Sequence, residues 1–383
     1  MKRVVVLGAT GSIGLSTADV IRRHPDRFQA YALVGHRNVD RMVELVAMLR
    51  PEYVVMTDEL AAEQLRSRLP EARRVLAGMA AAEAMAADEG VDIVVAAMVG
   101  AAGLPAALAA VRAGKRVALA NKECLVTAGR VFMRHARQYG AEIMPVDSEH
   151  AAVHQALQGH DGGSVTRIIL TASGGPFRDR DPETLHDVTP AEAVAHPNWE
   201  MGAKISVDSA TMMNKALELI EARWLFDAAP DKLDAIIHPE SIVHAMVEYA
   251  DGSVLAQLAV PDMRMPIAYA LQANPRIATG IARLDLVSLG RLSFQPVDHR
   301  RFPAMRLVAD VLHGEDSLAI SMNAANEVAN AAFRAGRIPF TSIVAVVERV
   351  LARSPRHNVS TLDEVWSLDH QARAWAEEMI AHA

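Results

Sequence analysis

The sequence predicts an α/β protein whose first part is built on a parallel β-sheet. Short, nearly continuous apolar runs alternate with amphipathic stretches over residues 3–146, which is typical of buried parallel strands joined by helices. The chain has 383 residues, enough for two or three domains. After residue 147 the pattern changes to a hairpin and then to helices. We therefore expect a parallel-sheet domain, an α+β domain and a helical C-terminal domain.

The elements of the first part follow from apolar runs and their end signals. A helix over residues 12–23 follows the first strand, and Asn38 can cap another helix that runs to residue 50. Buried strands are expected, in chain order, over residues 3–7, 28–34, 53–56, 91–96, 117–120 and 143–146.

The later part of the chain combines a hairpin with helices. Asp251 and Gly252 join the runs 241–249 and 253–260, and Asp-Gly between two strands favours a tight hairpin. Other expected elements are a strand over 167–171 and helices over 211–226, 304–312, 317–335, 341–351 and 362–381. The predicted division is residues 1–146, residues 147–274, an irregular linker at 275–296 and a helical domain at 297–383.

Composition indicates which classes of partner and which cellular compartment to expect. Hydrophobic residues make up 51% of the chain and no run approaches the ~20 apolar residues that span a bilayer, so we expect no membrane association. The net charge of -7 argues against a nucleic-acid partner. The single Cys124 suits a reducing compartment. Since the first strand begins at Arg3, we expect no leader peptide and a cytoplasmic protein.

Three glycines, Gly8, Gly11 and Gly14, lie between the first strand and the first helix. Glycine permits a tight turn and lets a pyrophosphate approach the N–H groups at the helix start. The spacing is looser than the strict Gly-x-Gly-x-x-Gly fingerprint. Its position after the first strand nevertheless favours a Rossmann-like dinucleotide site over a turn without a ligand.

The end of the second strand indicates which dinucleotide binds. A site for NAD usually places an acidic residue there, whereas this chain has Gly35, His36, Arg37 and Asn38 and no acid before Asp40. Arg37 can pair with a 2′-phosphate, which favours NADPH. The alternative is that Arg37 is a solvated surface charge.

An acidic pair follows the last strand of the first part. In extended chain Asp147 and Glu149 point the same way, and two carboxylates suit Mg²⁺ or Mn²⁺. The alternative is a helix start, with Asp147 or Ser148 as the cap and Glu149 in the first turn. The segment by itself leaves both interpretations open.

A later helix combines phosphate-binding and metal-binding side chains. Asn214, Lys215 and Glu218 share a face at spacings of three and four, and Ser209 precedes them. Such a face suits a phosphate and a metal ion together. The alternative is a surface ion pair between Lys215 and Glu218, which stabilises a protein little.

Two loops add candidate substrate contacts. The turn at Ser173 continues with two glycines and offers a hydroxyl and backbone N–H groups to a phosphate, although a plain turn is the alternative. The loop over residues 196–202 carries Trp199, which can cover a substrate as a lid. A Trp buried in the core is the alternative.

Together these motifs resemble one family, the 1-deoxy-D-xylulose 5-phosphate reductoisomerases. The resemblance covers essentially the whole chain in order, through residues 7–14, 120–123, 146–150, 173–177, 196–199, 204–226, 237–241, 261–264 and 323–327. It implies an NADPH-binding domain, a central catalytic and dimer-forming domain, a C-terminal helical domain and a homodimer.

The resemblance also implies residue roles. The metal ligands would be Asp147, Glu149 and Glu218, which together with Lys122 form the catalytic group. Substrate contacts would be Ser148, Glu149, Ser173, His196, Trp199, Ser209, Asn214, Lys215 and Glu218. Cofactor contacts would be Thr10, Gly11, Ser12, Ile13, Gly35, His36, Arg37, Asn38, Asn121, Lys122, Glu123 and Gly202. At position 36 the family often has glycine, so His36 is a departure from its pattern.

The implied reaction is a metal-dependent rearrangement of 1-deoxy-D-xylulose 5-phosphate, followed by reduction with NADPH to 2-C-methyl-D-erythritol 4-phosphate. Lys122 and Glu149 would assist proton movement. Two rival functions are a reductase like homoserine dehydrogenase and an NADP-sensing protein without catalysis. Neither rival needs the carboxylate set of Asp147, Glu149 and Glu218.

Overall fold

The computed structural model describes residues 1–69, 74–199 and 201–382, which form two compact units. The first unit contains Met1–Cys124, Phe132–Ala151 and Asp262–Ile281. The second contains Leu125–Val131, Ala152–Pro261 and Ala282–Ala383. The division predicted from the sequence is finer and stays a prediction. The two units cross its boundaries, because residues 147–151 and 262–281 group with the first unit and residues 125–131 group with the second.

The first unit is built on a seven-stranded sheet in which every strand pair is parallel. Its strands are β1 (Lys2–Leu7), β2 (Phe28–Gly35), β3 (Tyr53–Met56), β4 (Val75–Ala77), β5 (Ile93–Ala96), β6 (Arg116–Leu119) and β7 (Glu142–Pro145). The order β4-β3-β2-β1-β5-β6-β7 reverses direction beside β1, and ligands bind at such switch points in open α/β sheets. The predicted α/β fold class is confirmed.

Helices connect these strands and make up most of the C-terminal third of the chain. Those among the described residues are α1 (Ser12–Arg23), α2 (Val39–Leu49), α3 (Glu59–Arg68), α4 (Met79–Ala87), α5 (Leu104–Arg112), α6 (Glu123–Tyr139), α7 (Ser148–Ala156), α8 (Pro190–Val194), α9 (Ala203–Ala210), α10 (Met213–Leu225), α11 (Arg264–Leu271), α12 (Leu286–Leu289), α13 (Ala304–His313), α14 (Asp316–Arg334), α15 (Ser342–Arg353) and α16 (Leu362–Ala381). The side chain of Asn38 caps α2 as expected, by accepting from Arg41 N at 3.0 Å.

Core packing and an ion-pair network connect residues 262–281 to the rest of the first unit. Helix α11 packs against α1, and its buried side chains join the core around β1. Arg264 reaches Asp262 at 2.6 Å and Asp19 of α1 at 3.2 Å. Burial raises the pKa of Asp19, but hydrogen bonds from Arg23, Arg22 and Arg264 outweigh it and lower the pKa to about 2.

The second unit contains a mixed four-stranded sheet in the order β11-β10-β8-β9. Its strands are β8 (Val165–Ala172), β9 (Leu233–Ile237), β10 (Val243–Tyr249) and β11 (Val254–Leu258). Strands β10 and β11 form the predicted antiparallel hairpin, with Gly252 at φ +84° in its turn. Helix α14 packs against α15 and α16 in a core continuous with the buried face of this sheet.

The helix expected over residues 211–226 is shorter, and a second helix precedes it. Met212 has φ +61° and separates α9 from α10. The left-handed region is unfavourable for a residue with a side chain. The side chain of Met212 is buried in the core of the second unit, and such packing can offset the cost of this conformation.

Within the part of the chain that the structure describes, no helix is both long and apolar enough to cross a membrane.

Candidate active site

The glycine turn after β1 leaves no room for a side chain at two of its positions. A Cβ on Gly8 would lie 2.4 Å from Ala97 O, and one on Gly14 would lie 2.3 Å from Ala9 O. Gly11 is exposed at the start of α1, and no side chain among the described residues caps that helix. Because the first N–H groups of a helix have no acceptor within it, they can bind an anion here. Thr10, Ser12 and Ile13 lie beside this turn.

Polar contacts organise the end of β2. His36 Nδ1 lies 2.9 Å from Thr57 Oγ1, and Arg37 Nε donates to Asp58 Oδ2 at 2.8 Å. The side chain of Arg37 is 74% exposed, while Gly35 is buried. Hydrogen bonds from Ala61 N and Arg37 lower the pKa of Asp58, so the carboxylate is charged beside Arg37. The sequence did not single out Asp58, whose only local signal is that it caps α3.

Two adjacent parallel strands bring Lys122 and Asp147 together. Lys122 follows β6 and Asp147 follows β7, and Lys122 Nζ donates to Asp147 Oδ2 at 2.9 Å. Asn121 donates to Met98 O at 2.5 Å and to Gly100 O at 3.0 Å, so its amide holds the loop after β5. Glu123 is buried in the first turn of α6.

The acidic pair lies at a helix start and not on extended chain. Helix α7 begins at Ser148, and Ala151 N donates to Asp147 O at 2.8 Å. The extended conformation considered for this pair was therefore wrong, but the expected convergence is confirmed, because carboxylate oxygens of Asp147 and Glu149 lie within 4.8 Å of each other. Ser148 Oγ donates to Glu149 Oε2 at 2.5 Å. A helix start favours carboxylates electrostatically. The position is therefore compatible both with a metal site and with a capping role.

Ser173 and His196 are hydrogen-bonded in the second unit. Ser173 Oγ lies 2.9 Å from His196 Nε2 and accepts from Gly175 N at 3.1 Å. His196 Nδ1 accepts from Asn198 N at 3.2 Å and Trp199 N at 3.0 Å. A neutral imidazole with an accepting Nδ1 carries its hydrogen on Nε2, which therefore donates to Ser173. The hydroxyl hydrogen of Ser173 can then be donated to an anion.

The protonation state of His196 follows from its surroundings. Burial, and to a smaller degree the charge of Arg178, lower the pKa of His196 to about 4. Arg178 also donates to Ser173 O at 3.3 Å. The sequence-based reasoning missed Arg178, although it lies only two residues beyond Pro176 of the recognised turn.

Helices α9 and α10 carry the remaining phosphate candidates. A Cβ on Gly175 would lie 2.8 Å from Ser209 O, so the turn after Ser173 packs directly against α9. On α10, Lys215 and Asn214 both donate to the carboxylate of Glu218. Lys215 is 3% and Glu218 is 1% exposed. The ion pair therefore exists, but the alternative that placed it on the surface was wrong.

Trp199 lies on a loop that is attached to a neighbouring turn. Its ring is half-buried, with its centroid 6.3 Å from that of His244, so it is neither a core side chain nor a free one. Asn198 Nδ2 donates to Pro239 O at 2.7 Å and Ser241 Oγ at 3.0 Å. Gly202 caps the start of α9 and is exposed.

Each unit thus brings together part of the predicted set. Lys122 lies beside Asp147 in the first unit, and the second unit pairs Ser173 with His196 and Lys215 with Glu218. The metal set of Asp147, Glu149 and Glu218 draws on both units and stays a prediction.

Known proteins resemble this chain along its whole length. The family model for 1-deoxy-D-xylulose 5-phosphate reductoisomerase matches residues 4–129, and the models for two C-terminal domains of that enzyme match residues 143–226 and 258–375. A relative from Nitrosomonas europaea is 52% identical over 388 residues, covering 99% of this chain and 94% of the relative. One from Aromatoleum aromaticum is 53% identical, covering 99% and 96%. Both carry the name 1-deoxy-D-xylulose 5-phosphate reductoisomerase.

Solved structures agree with this result. A reductoisomerase in complex with NADPH, fosmidomycin and magnesium has a TM-score of 0.94 and 41% identity, covering 100% of this chain and 98% of that chain. The Zymomonas mobilis enzyme in complex with NADPH has a TM-score of 0.92 and 43% identity, covering 99% of both chains. The chain therefore belongs to the 1-deoxy-D-xylulose 5-phosphate reductoisomerase family.

Proposed function

We propose that this chain converts 1-deoxy-D-xylulose 5-phosphate to 2-C-methyl-D-erythritol 4-phosphate with NADPH and a divalent metal ion. Full-length similarity to reductoisomerases supports the activity, and structures of relatives with NADPH and magnesium support the cofactors. The structural observation that carries the proposal is the buried pair of Lys215 and Glu218 on α10. Taking two charges out of water is costly in free energy, and we attribute the retention of this pair to a role in binding.

The substrate phosphate would bind to Ser173, Ser209, Asn214 and Lys215. Two features of the second unit support this assignment. His196 donates to Ser173 Oγ and so leaves the hydroxyl hydrogen of the serine for another acceptor, and Gly175 packs the serine turn against Ser209 O. Binding a phosphate far from the reacting carbons provides binding energy for the chemical step.

Three carboxylates, Asp147, Glu149 and Glu218, would hold Mg²⁺ or Mn²⁺. An all-oxygen donor set fits these hard cations. The ion supplies Lewis-acid polarisation of substrate oxygens when it is bound. Lys122 holds a proton at Nζ beside Asp147, and Glu149 can accept one at its carboxylate, so both residues can move protons during the rearrangement. Ser148, bonded to Glu149, would orient that carboxylate and contact substrate.

NADPH would bind along the carboxyl ends of the parallel strands and supply the hydride. Thr10, Gly11, Ser12 and Ile13 would contact its pyrophosphate, because the open helix start supplies N–H donors. Arg37 would leave Asp58 to pair with the 2′-phosphate, flanked by Gly35, His36 and Asn38. Asn121, Lys122, Glu123 and Gly202 would lie near the nicotinamide.

The loop at Trp199 would cover the substrate and exclude water from it. His196 and Asn198 support this role, since they anchor the loop beside the proposed phosphate site through Ser173 and Pro239. The side chain of Trp199 is half-buried and so has apolar surface to place on a ligand.

The active form would be a homodimer located in the cytoplasm. Strand β11 is an edge strand whose Val254 and Leu255 are 49% and 38% exposed. An exposed apolar edge strand is a ready surface for pairing with a second copy of the chain. The cytoplasmic location follows from the single cysteine, Cys124, and stays a prediction.

The test of the activity is the absorbance of NADPH when the protein meets 1-deoxy-D-xylulose 5-phosphate. Oxidation is expected with Mg²⁺ or Mn²⁺ present, and it should stop when a chelator removes the ion and resume when the ion is restored. The proposal would be contradicted if NADPH is not oxidised, or if its oxidation does not depend on the metal ion. A reaction without the sugar phosphate controls for background oxidation.

A further inference from the structure

A buried carboxylate lies in α9 directly before Ser209. Asp208 is 1% exposed. Its Oδ1 accepts from Asn326 Nδ2 at 2.9 Å and Asn330 Nδ2 at 2.8 Å, and its Oδ2 lies 3.1 Å from Lys204 Nζ. A buried charge is costly unless it is paired and hydrogen-bonded, and these contacts meet both conditions.

The two amide donors attach α9 to α14. Asn326 and Asn330 lie one turn apart on α14 and are fully buried. Asn330 also donates to Lys204 O at 3.0 Å, so both a side chain and the backbone of α9 are fixed to α14. Among the described residues Asn326 Oδ1 has no hydrogen-bond partner. Since a buried unpaired acceptor costs free energy, packing does not explain an asparagine there, whereas donation to Asp208 does.

Helix α9 connects three parts of the proposed substrate site. It begins after the Trp199 loop, carries Ser209, and ends just before α10 with Lys215. On another side the turn at Gly175 approaches Ser209 O so closely that no Cβ fits. A shift of α9 would therefore move the serine and the start of α10 together.

We propose that Asp208 is a positioning residue that fixes Ser209 and the start of α10 for phosphate binding. The proposal rests on the proposed function, because it assumes that Ser209 contacts the substrate phosphate. Asp208 acts through α9, since its own carboxylate is buried and occupied by Asn326, Asn330 and Lys204.

Charge and position predict opposite effects of neutralising this residue. Asp208→Asn removes a negative charge one residue from a phosphate ligand, which by electrostatics alone would strengthen phosphate binding. It also replaces the carboxylate that pairs with Lys204 by a neutral amide, so α9 is held less firmly. If Asp208 positions Ser209, phosphate binding then becomes weaker. The sign of the change therefore separates the two effects.

Asp369 offers a matched control for a merely structural role. It is a buried aspartate that pairs with Arg373 four residues away, as Asp208 pairs with Lys204. Arg373 also reaches Glu327 of α14 at 2.5 Å, so the pair attaches α16 to α14 in the same unit. Asp369→Asn should therefore lower stability without moving α9.

The experiment compares the full-length chain with Asp208→Asn, Asn326→Ala and Asp369→Asn. Calorimetry gives the Kd for inorganic phosphate, steady-state kinetics give KM for the sugar phosphate and for NADPH, and thermal unfolding reports folding. In Asp208→Asn we expect phosphate Kd and sugar-phosphate KM to rise about tenfold, equivalent to about 1.4 kcal/mol, with KM for NADPH unchanged. Asn326→Ala should show a smaller change in the same direction, and Asp369→Asn none.

Equal or tighter phosphate binding by Asp208→Asn would overturn the proposal, as would the same loss in Asp369→Asn. If Asp208→Asn does not fold, Asn326→Ala decides, because an unchanged phosphate Kd in that variant would also overturn it. Failure of the wild-type chain to bind phosphate overturns it as well. A different outcome rejects only the proposed function. In it, the wild-type chain binds phosphate but does not turn over the sugar phosphate, and Asp208→Asn binds phosphate more weakly than the wild type.

Discussion

At the scale of single residues, His196 acts as a neutral hydrogen-bond donor. Burial and Arg178 lower its pKa to about 4, so the imidazole stays uncharged at neutral pH and orients Ser173. We expect an NMR titration of the His196 ring to give a pKa near 4. A pKa at or above the ordinary 6.5 would contradict this assignment.

The same shift makes the free energy of unfolding depend on pH. Between about pH 4 and 6.5 the unfolded chain binds a proton at His196 that the folded chain does not, so stability falls as the pH falls through this window. His196→Gln removes this contribution. Thermal unfolding followed from pH 7 to pH 5 should show a smaller loss of stability for the variant than for the wild type. Identical losses of stability would contradict the assignment of this pH dependence to His196.

Glu218 tests the proposed metal set. Glu218→Gln should lower turnover about 100-fold while leaving the Kd for NADPH nearly unchanged, because the carboxylate is assigned to metal and substrate and not to the cofactor. NADPH fluorescence measures that Kd, and a melting curve confirms folding, since Lys215 loses its buried partner. Metal-dependent turnover that survives the change would show that the ligand assignment is wrong.

Arg37 tests the choice of dinucleotide. Arg37→Met should raise KM for NADPH about tenfold and change KM for NADH little, because only NADPH carries the 2′-phosphate. Arg41→Met is a matched control, since Arg41 is an exposed arginine on α2 that pairs with Glu44. Equal effects of the two substitutions on KM for NADPH would show that Arg37 does not contact the cofactor.

Short-range residue patterns were predictable and long-range partners were not. The spacing of Lys215 and Glu218 placed them on one helix face, but their burial depends on packing that the sequence pattern does not report. The sequence pattern also gave no sign of a role for three further residues, Arg178, Asp58 and Asp208. Each acts through a partner that is brought close by the fold, such as Asn326 of α14 for Asp208.

At the scale of elements, the approach of the Gly175 turn to α9 brings together Ser173 and Ser209, the two serines proposed to bind the substrate phosphate. Gly175→Ala should lower stability by about 2 kcal/mol and raise sugar-phosphate KM, because φ is +65° and a Cβ would lie 2.8 Å from Ser209 O. Gly140 has the same φ with open space around it, so Gly140→Ala should cost about 1 kcal/mol and leave KM unchanged. Denaturant unfolding and steady-state kinetics measure both. Equal KM values in the two variants would contradict this role.

Element ends were predictable wherever a local signal fixed them. Helices α1 and α16 begin and end as predicted, the latter with a capping box at Thr361. Helix α9 was missed because its polar and apolar residues follow no clear helical period, and β4 has only three residues. The sequence left the first turn of α7 open between extended chain and a helix start, because an acidic pair is compatible with either conformation.

At the scale of the whole molecule, strand β11 is the proposed surface for a second copy. Val254→Lys should convert the dimer to a monomer, because a lysine on an edge strand opposes pairing. Val287→Lys is the control, since Val287 is an exposed valine on a helix, α12, and not on a strand. Light scattering after size exclusion gives the mass. A monomeric wild type, or a dimeric Val254→Lys, would contradict the proposal.

The overall architecture was predictable because the periodicity of apolar runs and the glycine turn both mark a parallel sheet. The sequence pattern did not reveal that residues 262–281 join the first unit. That grouping comes with the packing of α11 against α1 and with the ion pair of Arg264 and Asp19, contacts across more than two hundred positions of chain that have no local signature.

The most direct test of the central claim is the identity and amount of the product. With Mg²⁺ present, NMR should show 2-C-methyl-D-erythritol 4-phosphate formed in equal amount to the NADPH consumed, and neither change should occur without the ion. A reduced sugar phosphate that keeps its unbranched carbon chain, or product formation without a divalent ion, would contradict the account.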